Sequence, residues 1–213
     1  MGMTFRRIGL TGNIGSGKSE VALLLQQAGL AVVDLDDIGR AVSELPATQN
    51  AIASLFGPSS RNSDGSLNRR FVQQTIFSDP TKKEALEKLL HPLIWTAFEA
   101  MEEALKKKGA MLVVCEAALI YEAQIDKRLD FVIVVTANEK LRRDRVTLRD
   151  GLSPEAFDHI SKAQMSEDEK LKRASAIIDN SDGIESLRPQ VSSLINRWRS
   201  LGYLEPATEL NPL

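Results

Sequence analysis

The clearest chemistry in the chain sits in the stretch "RRIGLTGNIGSGKSEVALLL" (6–25), which holds the pattern G-x-x-x-x-G-K-S from Gly12 to Ser19. A triphosphate packs several negative charges into a small volume. Backbone N–H groups curled into a nest at a helix N-terminus can meet that charge, because the helix dipole favours anions there. Gly12, Gly15 and Gly17 give the chain access to positive φ and let its backbone approach a ligand closely. Lys18 can reach the β- and γ-phosphates, and the Ser19 hydroxyl can ligate Mg²⁺. The four fixed positions arise by chance in on the order of one chain in a hundred of this length. The flanks narrow that further: "RRIGLT" reads as a buried strand and "KSEVALLLQQAG" as a helix ending at Gly29.

If the loop holds a phosphate donor, the acceptor needs other groups. Ligands of open α/β sheets gather at the carboxyl ends of strands, so acids there are weighed first. Asp34 and Asp36 flank Leu35 where a second strand should stop, and a carboxylate at that place could orient a hydroxyl and take its proton. The structural alternative is that both cap a helix beginning near Ile38. Glu116, at the end of a third apolar run, is either a Mg²⁺-orienting acid or an ordinary carboxylate. Cys115 beside it reads as a small buried hydrophobe. In "NEKLRRDRVTLRD" (138–150), Arg142, Arg145 and Arg149 fall along one helical stripe. Arginines there could neutralise a migrating phosphoryl group. The favoured candidates are Arg145 and then Arg149, while Arg142 and Arg143 read as a solvated face paired with nearby acids. His91 precedes a proline in "LLHPLI", at the expected junction of two helical segments, and His159 lies in a polar helix without a visible catalytic companion.

The elements that must hold these groups alternate between strand and helix, which argues for an α/β fold with a parallel sheet covered on both faces. Further strands are expected at 30–37, 111–116, 130–136 and 175–180, with helices at 138–150, 153–164, 166–174 and 184–200. The largely helical stretch 38–109, interrupted by the loop 57–68, is too long for a simple crossover and reads as a subdomain. The charge-dense 138–174 stands where a mobile lid would be, leaving a core of about 1–37, 110–137 and 175–200. The tail 204–213 has no periodic pattern and is expected to fray. The chain of 213 residues is 43% hydrophobic, enough for one domain with a substantial core. A net charge of −2 gives no general reason to expect nucleic acid, and one cysteine excludes an internal disulfide. No apolar run approaches a membrane span, and no signal-peptide pattern opens the chain, so a cytoplasmic enzyme is expected. Nothing in the sequence sets the oligomeric state; a monomer is compatible with it.

Six segments in order, "GLTGNIGSGKSEV", "VVDLDDIGR", "DGSLNRRFVQQTIF", "LEKLLHPLI", "EAALIYE" and "ASAIIDN", closely resemble the dephospho-CoA kinases. The resemblance runs from about residue 6 to residue 195. It implies a P-loop kinase core with a helical substrate subdomain and a lid, and transfer of the γ-phosphate of ATP to the ribose 3′-hydroxyl of dephospho-CoA. It also implies Asp36 as catalytic base, Arg40 and His91 as acceptor contacts, Arg145 and Arg149 as lid arginines, a lid glutamine at Gln164, and a nucleotide-side segment ending at Asn180. The expected ATP contacts are thus Asn13, Gly15, Ser16, Gly17, Lys18, Ser19, Glu20, Arg149 and Asn180, with Ser19 on the metal.

The chain departs from the family pattern at several points. Glu20 replaces a usual threonine, keeping an N–H for the α-phosphate but bringing a negative charge close by. Asn13 replaces a glycine, Ala118-Leu119-Ile120 replaces Pro-Leu-Leu, and Ser175 replaces an aspartate. A nucleoside monophosphate kinase shares core and lid and differs mainly in the segment 38–109. A GTPase would need N-K-x-D and a transporter ATPase L-S-G-G-Q, and neither is found. A non-catalytic nucleotide-binding module would have little use for Lys18, Ser19, Asp36 and the lid arginines together.

Overall fold

A computed structural model describes residues 4–204, so all but the first residue of the unpatterned tail lies outside the described residues. The described residues divide into two compact units, one made of residues 4–34 and 105–204, the other of residues 35–104.

The first unit is built on five parallel strands: β1 (Arg6–Gly12), β2 (Val32–Asp34), β3 (Leu112–Glu116), β4 (Phe131–Thr136) and β5 (Ala176–Asp179). They lie in the order β2-β3-β1-β4-β5, with β1 at the centre. Register pairs Gly9 with Cys115 on one side and with Val132 on the other. Side chains alternate across such a sheet, so each strand feeds two cores. Ile8, Leu10, Leu112, Val114, Ile133, Val135 and Ile178 form one buried cluster. It packs against α1 (Lys18–Gln27) and α9 (Ile184–Ser200). On α9 the buried Leu187, Val191, Ile195 and Trp198 recur at helical spacing and make its inner stripe. The alternate set includes Cys115, wholly buried as expected of a small hydrophobe.

Three further helices complete this unit: α6 (Glu139–Asp150), α7 (Pro154–Ala163) and α8 (Glu167–Arg173). Each begins on a side-chain cap, from Asn138, Ser153 and Ser166 respectively. Gly151, in the left-handed region at φ 64°, ends α6.

The second unit contains α2 (Leu35–Glu44), α3 (Pro46–Phe56), α4 (Arg69–Ser78) and most of α5 (Pro80–Lys107). Its small core joins Ile52, Leu67 and Val72 to Phe56, Ile76, Leu86, Leu89 and Leu90. Two expectations fail here. The second strand spans only Val32–Asp34, and α2 starts at Leu35 rather than near Ile38, because the buried Leu35, Ile38 and Val42 share one helical period. Pro92 lies inside one continuous α5 rather than at a junction. Proline removes a single N–H, and the long helix-forming segments on both sides carry the helix through it.

Candidate nucleotide site

Between β1 and α1 the loop turns tightly enough for Ser16 N–H to donate to the Asn13 carbonyl at 3.0 Å. Gly15 and Gly17 make this turn in the left-handed region, at φ 78° and 85°. Neither could carry a side chain: a Cβ at Gly15 would meet the backbone carbonyl of Arg142, and one at Gly17 the side-chain amide of Asn180. The loop therefore sits pressed against α6 and the segment after β5, which fixes where its N–H groups point. A cleft of about 820 Å³ opens over it, walled by the loop, by Arg145 and Arg149 of α6, by Gln164, and by the apolar Leu23 and Leu148.

Lys18 opens α1 and reaches Glu116, at the carboxyl end of β3, at 2.5 Å. Both are largely buried, at 16% and 9% side-chain exposure, so the pair is poorly screened. The Ser19 hydroxyl donates to the same Glu116 oxygen at 3.4 Å. Glu116, which the sequence left open between an acid near the metal and an ordinary carboxylate, thus stands beside the two side chains with the most direct phosphate chemistry.

Asn180 is wholly buried behind the loop. Its amide nitrogen donates to the Ser16 carbonyl at 3.0 Å and to the Glu20 carboxylate at 2.8 Å. Its own carbonyl accepts from Arg145 at 2.9 Å. One residue thereby ties the loop, the first turn of α1 and a cleft arginine together. The charge at Glu20, foreseen as a burden on nucleotide binding, is directed to this amide. The other terminal nitrogen of Arg145, NH1, is buried without a hydrogen-bond partner among the described residues. Arg149 grips Asp150 through two hydrogen bonds of 2.8 and 2.7 Å. That contact raises the pKa of Arg149 and lowers that of Asp150.

Arg142 corrects the sequence reading. It is buried, not part of a solvated face, donating to the Ala137 carbonyl at 3.1 Å and the Ile14 carbonyl at 3.5 Å, and pairing with Glu167 at 3.0 Å. Arg143 follows expectation, pairing with Glu139 and also with Asp158 at 2.6 Å.

Beyond α7 the dipeptide Gln164-Met165 is pinned on three sides. Ile14 N–H donates to Gln164 Oε1 at 2.8 Å, Asn13 Nδ2 to the Met165 carbonyl at 3.2 Å, and Met165 N–H to Glu122 Oε1 at 2.7 Å. Glu122 also holds Lys170 at 3.0 Å, an ammonium with no exposed surface, which donates in addition to the Ala118 carbonyl at 3.2 Å. Burial pushes the Lys170 pKa down, with Glu122 opposing the shift. Nothing in "SEDEKLKR" marks Lys170 as buried, since basic residues commonly close helices.

In the second unit, Asp36 is exposed in the first turn of α2 rather than capping a later helix. Arg40, one turn on, forms an ion pair with Asp37. His91 is half-buried on α5, and His159 is exposed on α7.

Comparison with known proteins places this arrangement. The sequence model of the dephospho-CoA kinase family matches residues 6–186. A dephospho-CoA kinase of Symbiobacterium thermophilum is 39% identical over 197 residues, covering 92% of this chain and 81% of that protein. One from Syntrophotalea carbinolica is 40% identical over 191 residues, covering 89% and 90%. A crystal structure from Thermus thermophilus superposes with a TM-score of 0.81 at 36% identity, over 91% of this chain and 98% of that one. A dephospho-CoA kinase structure from Campylobacter jejuni gives 0.67 at 26% identity, over 93% and 98%. The phosphate-binding loop, the parallel sheet that positions it and these relatives agree, and the chain belongs to the dephospho-CoA kinase family.

Proposed function

We propose that the chain transfers the γ-phosphoryl group of ATP to the 3′-hydroxyl of the ribose of dephospho-CoA, giving coenzyme A and ADP in the last step of coenzyme A biosynthesis. The observation that carries this reading is the Lys18–Glu116 pair at the mouth of a P-loop, in a chain matched by the dephospho-CoA kinase model over residues 6–186.

ATP lies with its phosphates on the N–H groups of Asn13, Gly15, Ser16, Gly17, Lys18, Ser19 and Glu20. Lys18 exchanges part of its contact with Glu116 for phosphate oxygens, so its charge follows the nucleotide. Asn180 supports the nucleotide side of the site from behind the loop. Asp36 orients the acceptor hydroxyl and takes its proton, while Arg145, and Arg149 once released from Asp150, neutralise the migrating group. Arg40 and His91 contact the acceptor. These roles accompany a substrate subdomain over about 38–109 and a lid over about 138–174.

The family acts on ATP, generally with a divalent metal, and Mg²⁺ suits the oxygen donors present. The Ser19 hydroxyl and the Glu116 carboxylate stand 3.4 Å apart, both hard ligands. Ser19 would hold the ion directly with Glu116 orienting its waters, and the ion would supply charge neutralisation on the phosphates. Among the described residues no group of three or more His, Cys, Asp or Glu side chains forms a protein cage for a metal. The reading places the reaction in the cytoplasm, with ATP and dephospho-CoA as partners, no nucleic acid or membrane, and a monomer sufficient. No helix among the described residues is long and apolar enough to cross a membrane.

The test is ADP release with ATP and Mg²⁺, offering dephospho-CoA beside AMP, CMP and UMP, with product mass measured. Turnover with dephospho-CoA alone is expected; turnover only with a nucleoside monophosphate would overturn the acceptor assignment.

A further inference from the structure

From the contacts around Gln164 we infer a second, uncharged phosphate contact in the cleft: the side-chain amide nitrogen of Gln164 donates to the terminal phosphoryl group of the bound nucleotide. This rests on the proposed function for the identity of the nucleotide.

The orientation of the amide is decided by its partner. A backbone N–H can only donate, so the atom facing Ile14 N at 2.8 Å must be the Gln164 oxygen. The nitrogen, with its two N–H groups, is then the end left for a ligand, and Gln164 is part of the cleft wall that also carries Lys18, Arg145 and Arg149. No hydrogen bond from this nitrogen to any described residue is present.

The position is also held firmly. Met165, the next residue, is fixed through its N–H by Glu122 and through its carbonyl by Asn13. Asn13 and Ile14 belong to the loop itself, so Gln164 moves with the phosphate cradle. A donor held in this way loses little freedom when a phosphate arrives, the condition under which a hydrogen bond to developing charge is most effective. Ile14 stands just after β1, at the other end of the loop from Glu20 in the first turn of α1, whose N–H is the one expected at the α-phosphate. A donor beside Ile14 therefore faces the terminal phosphoryl group, the one transferred, rather than the α-phosphate.

A neutral donor suits that place. Lys18, Arg145 and Arg149 already supply positive charge, and an amide adds direction without holding ADP as strongly as another cation would.

The experiment compares wild type with Gln164→Met, which keeps the length of the side chain and removes both hydrogen bonds, and with Gln164→Glu, which keeps an acceptor for Ile14 N–H and replaces the donor. Calorimetry measures ADP and a non-hydrolysable ATP analogue on each, and steady-state kinetics with dephospho-CoA measure kcat. Both variants are expected to bind ADP within about threefold of wild type, to bind the ATP analogue roughly tenfold or more weakly, and to lose about 10–10² in kcat. Equal weakening of ADP and the analogue in Gln164→Met, or an unweakened analogue in Gln164→Glu, would reduce Gln164 to a cap on Ile14 and overturn the inference. The binding arm needs no acceptor, so it stands or falls separately from the dephospho-CoA assignment.

Discussion

Lys170 offers the sharpest energetic test of how the cleft is held. Its ammonium has no exposed surface and meets the Glu122 carboxylate at 3.0 Å and the Ala118 carbonyl at 3.2 Å. Lys170→Met fills nearly the same volume but strands Glu122, which keeps the Met165 N–H at 2.7 Å. Removing one partner of a buried pair costs about 3–5 kcal/mol. For a chain of this length each kcal/mol lowers Tm by about 2–4 °C, so a drop of about 6–20 °C is expected. Glu122→Gln alone leaves an acceptor for Met165 but removes the countercharge. The double variant removes both charges together and should return to within ~1 kcal/mol of wild type. Denaturant unfolding of all four proteins closes the cycle, with an expected coupling of ~2 kcal/mol or more. The pH dependence provides a second check. Because burial lowers the Lys170 pKa, the folded chain binds its proton less tightly than the unfolded chain does. In the window between the lowered value and the ordinary lysine value, stability should rise with pH, and Lys170→Met should remove that rise. A cost below ~1 kcal/mol, or single-variant costs that simply add, would refute the claim that this pair is dry and coupled.

Two further outcomes follow from the loop. Gly17→Ala places a methyl at φ 85° against the Asn180 amide, so it should cost at least the ~1–2 kcal/mol of left-handed strain and weaken ADP binding tenfold or more by calorimetry. Unchanged affinity would show that the loop can relax away from Asn180. Lys18→Ala should nearly abolish turnover in the ADP-release assay while leaving Glu116 an unpaired buried carboxylate; substantial residual activity would mean that Lys18 serves the unliganded fold more than the reaction.

The sheet was legible in the sequence because parallel strands buried on both faces appear as short apolar runs, as in "MLVVCE" and "DFVIVVT". The loop was legible because its glycines answer to local geometry: the expected positive φ is present at Gly15 and Gly17, while Gly12 does not adopt one and is needed instead for the close approach of Ser16 and the Val135 carbonyl. The boundary at Leu35 was missed because one apolar residue fits either a strand end or a helix period, and only the later Ile38 and Val42 decide it. Arg142 and Lys170 were missed for a different reason. Both lie in charged helical segments that look solvated in one dimension, and their burial arises from the Ile14 carbonyl and Glu122, residues far away in sequence. Gln164 was reached only through resemblance, since a glutamine at a helix end carries no spacing signal of its own.

The proposed phosphoryl transfer turns on Asp36 as the group that takes the acceptor's proton. Single-turnover transfer from ATP to dephospho-CoA by Asp36→Asn, with ATP-analogue affinity measured on the same protein, tests it most directly. Asp36 is exposed in the first turn of α2, so the substitution should leave the fold intact. The expected rate is lower by about 10²–10⁴, with nucleotide affinity retained. A loss below tenfold would contradict it and return Asp36 to favouring the N-terminus of α2.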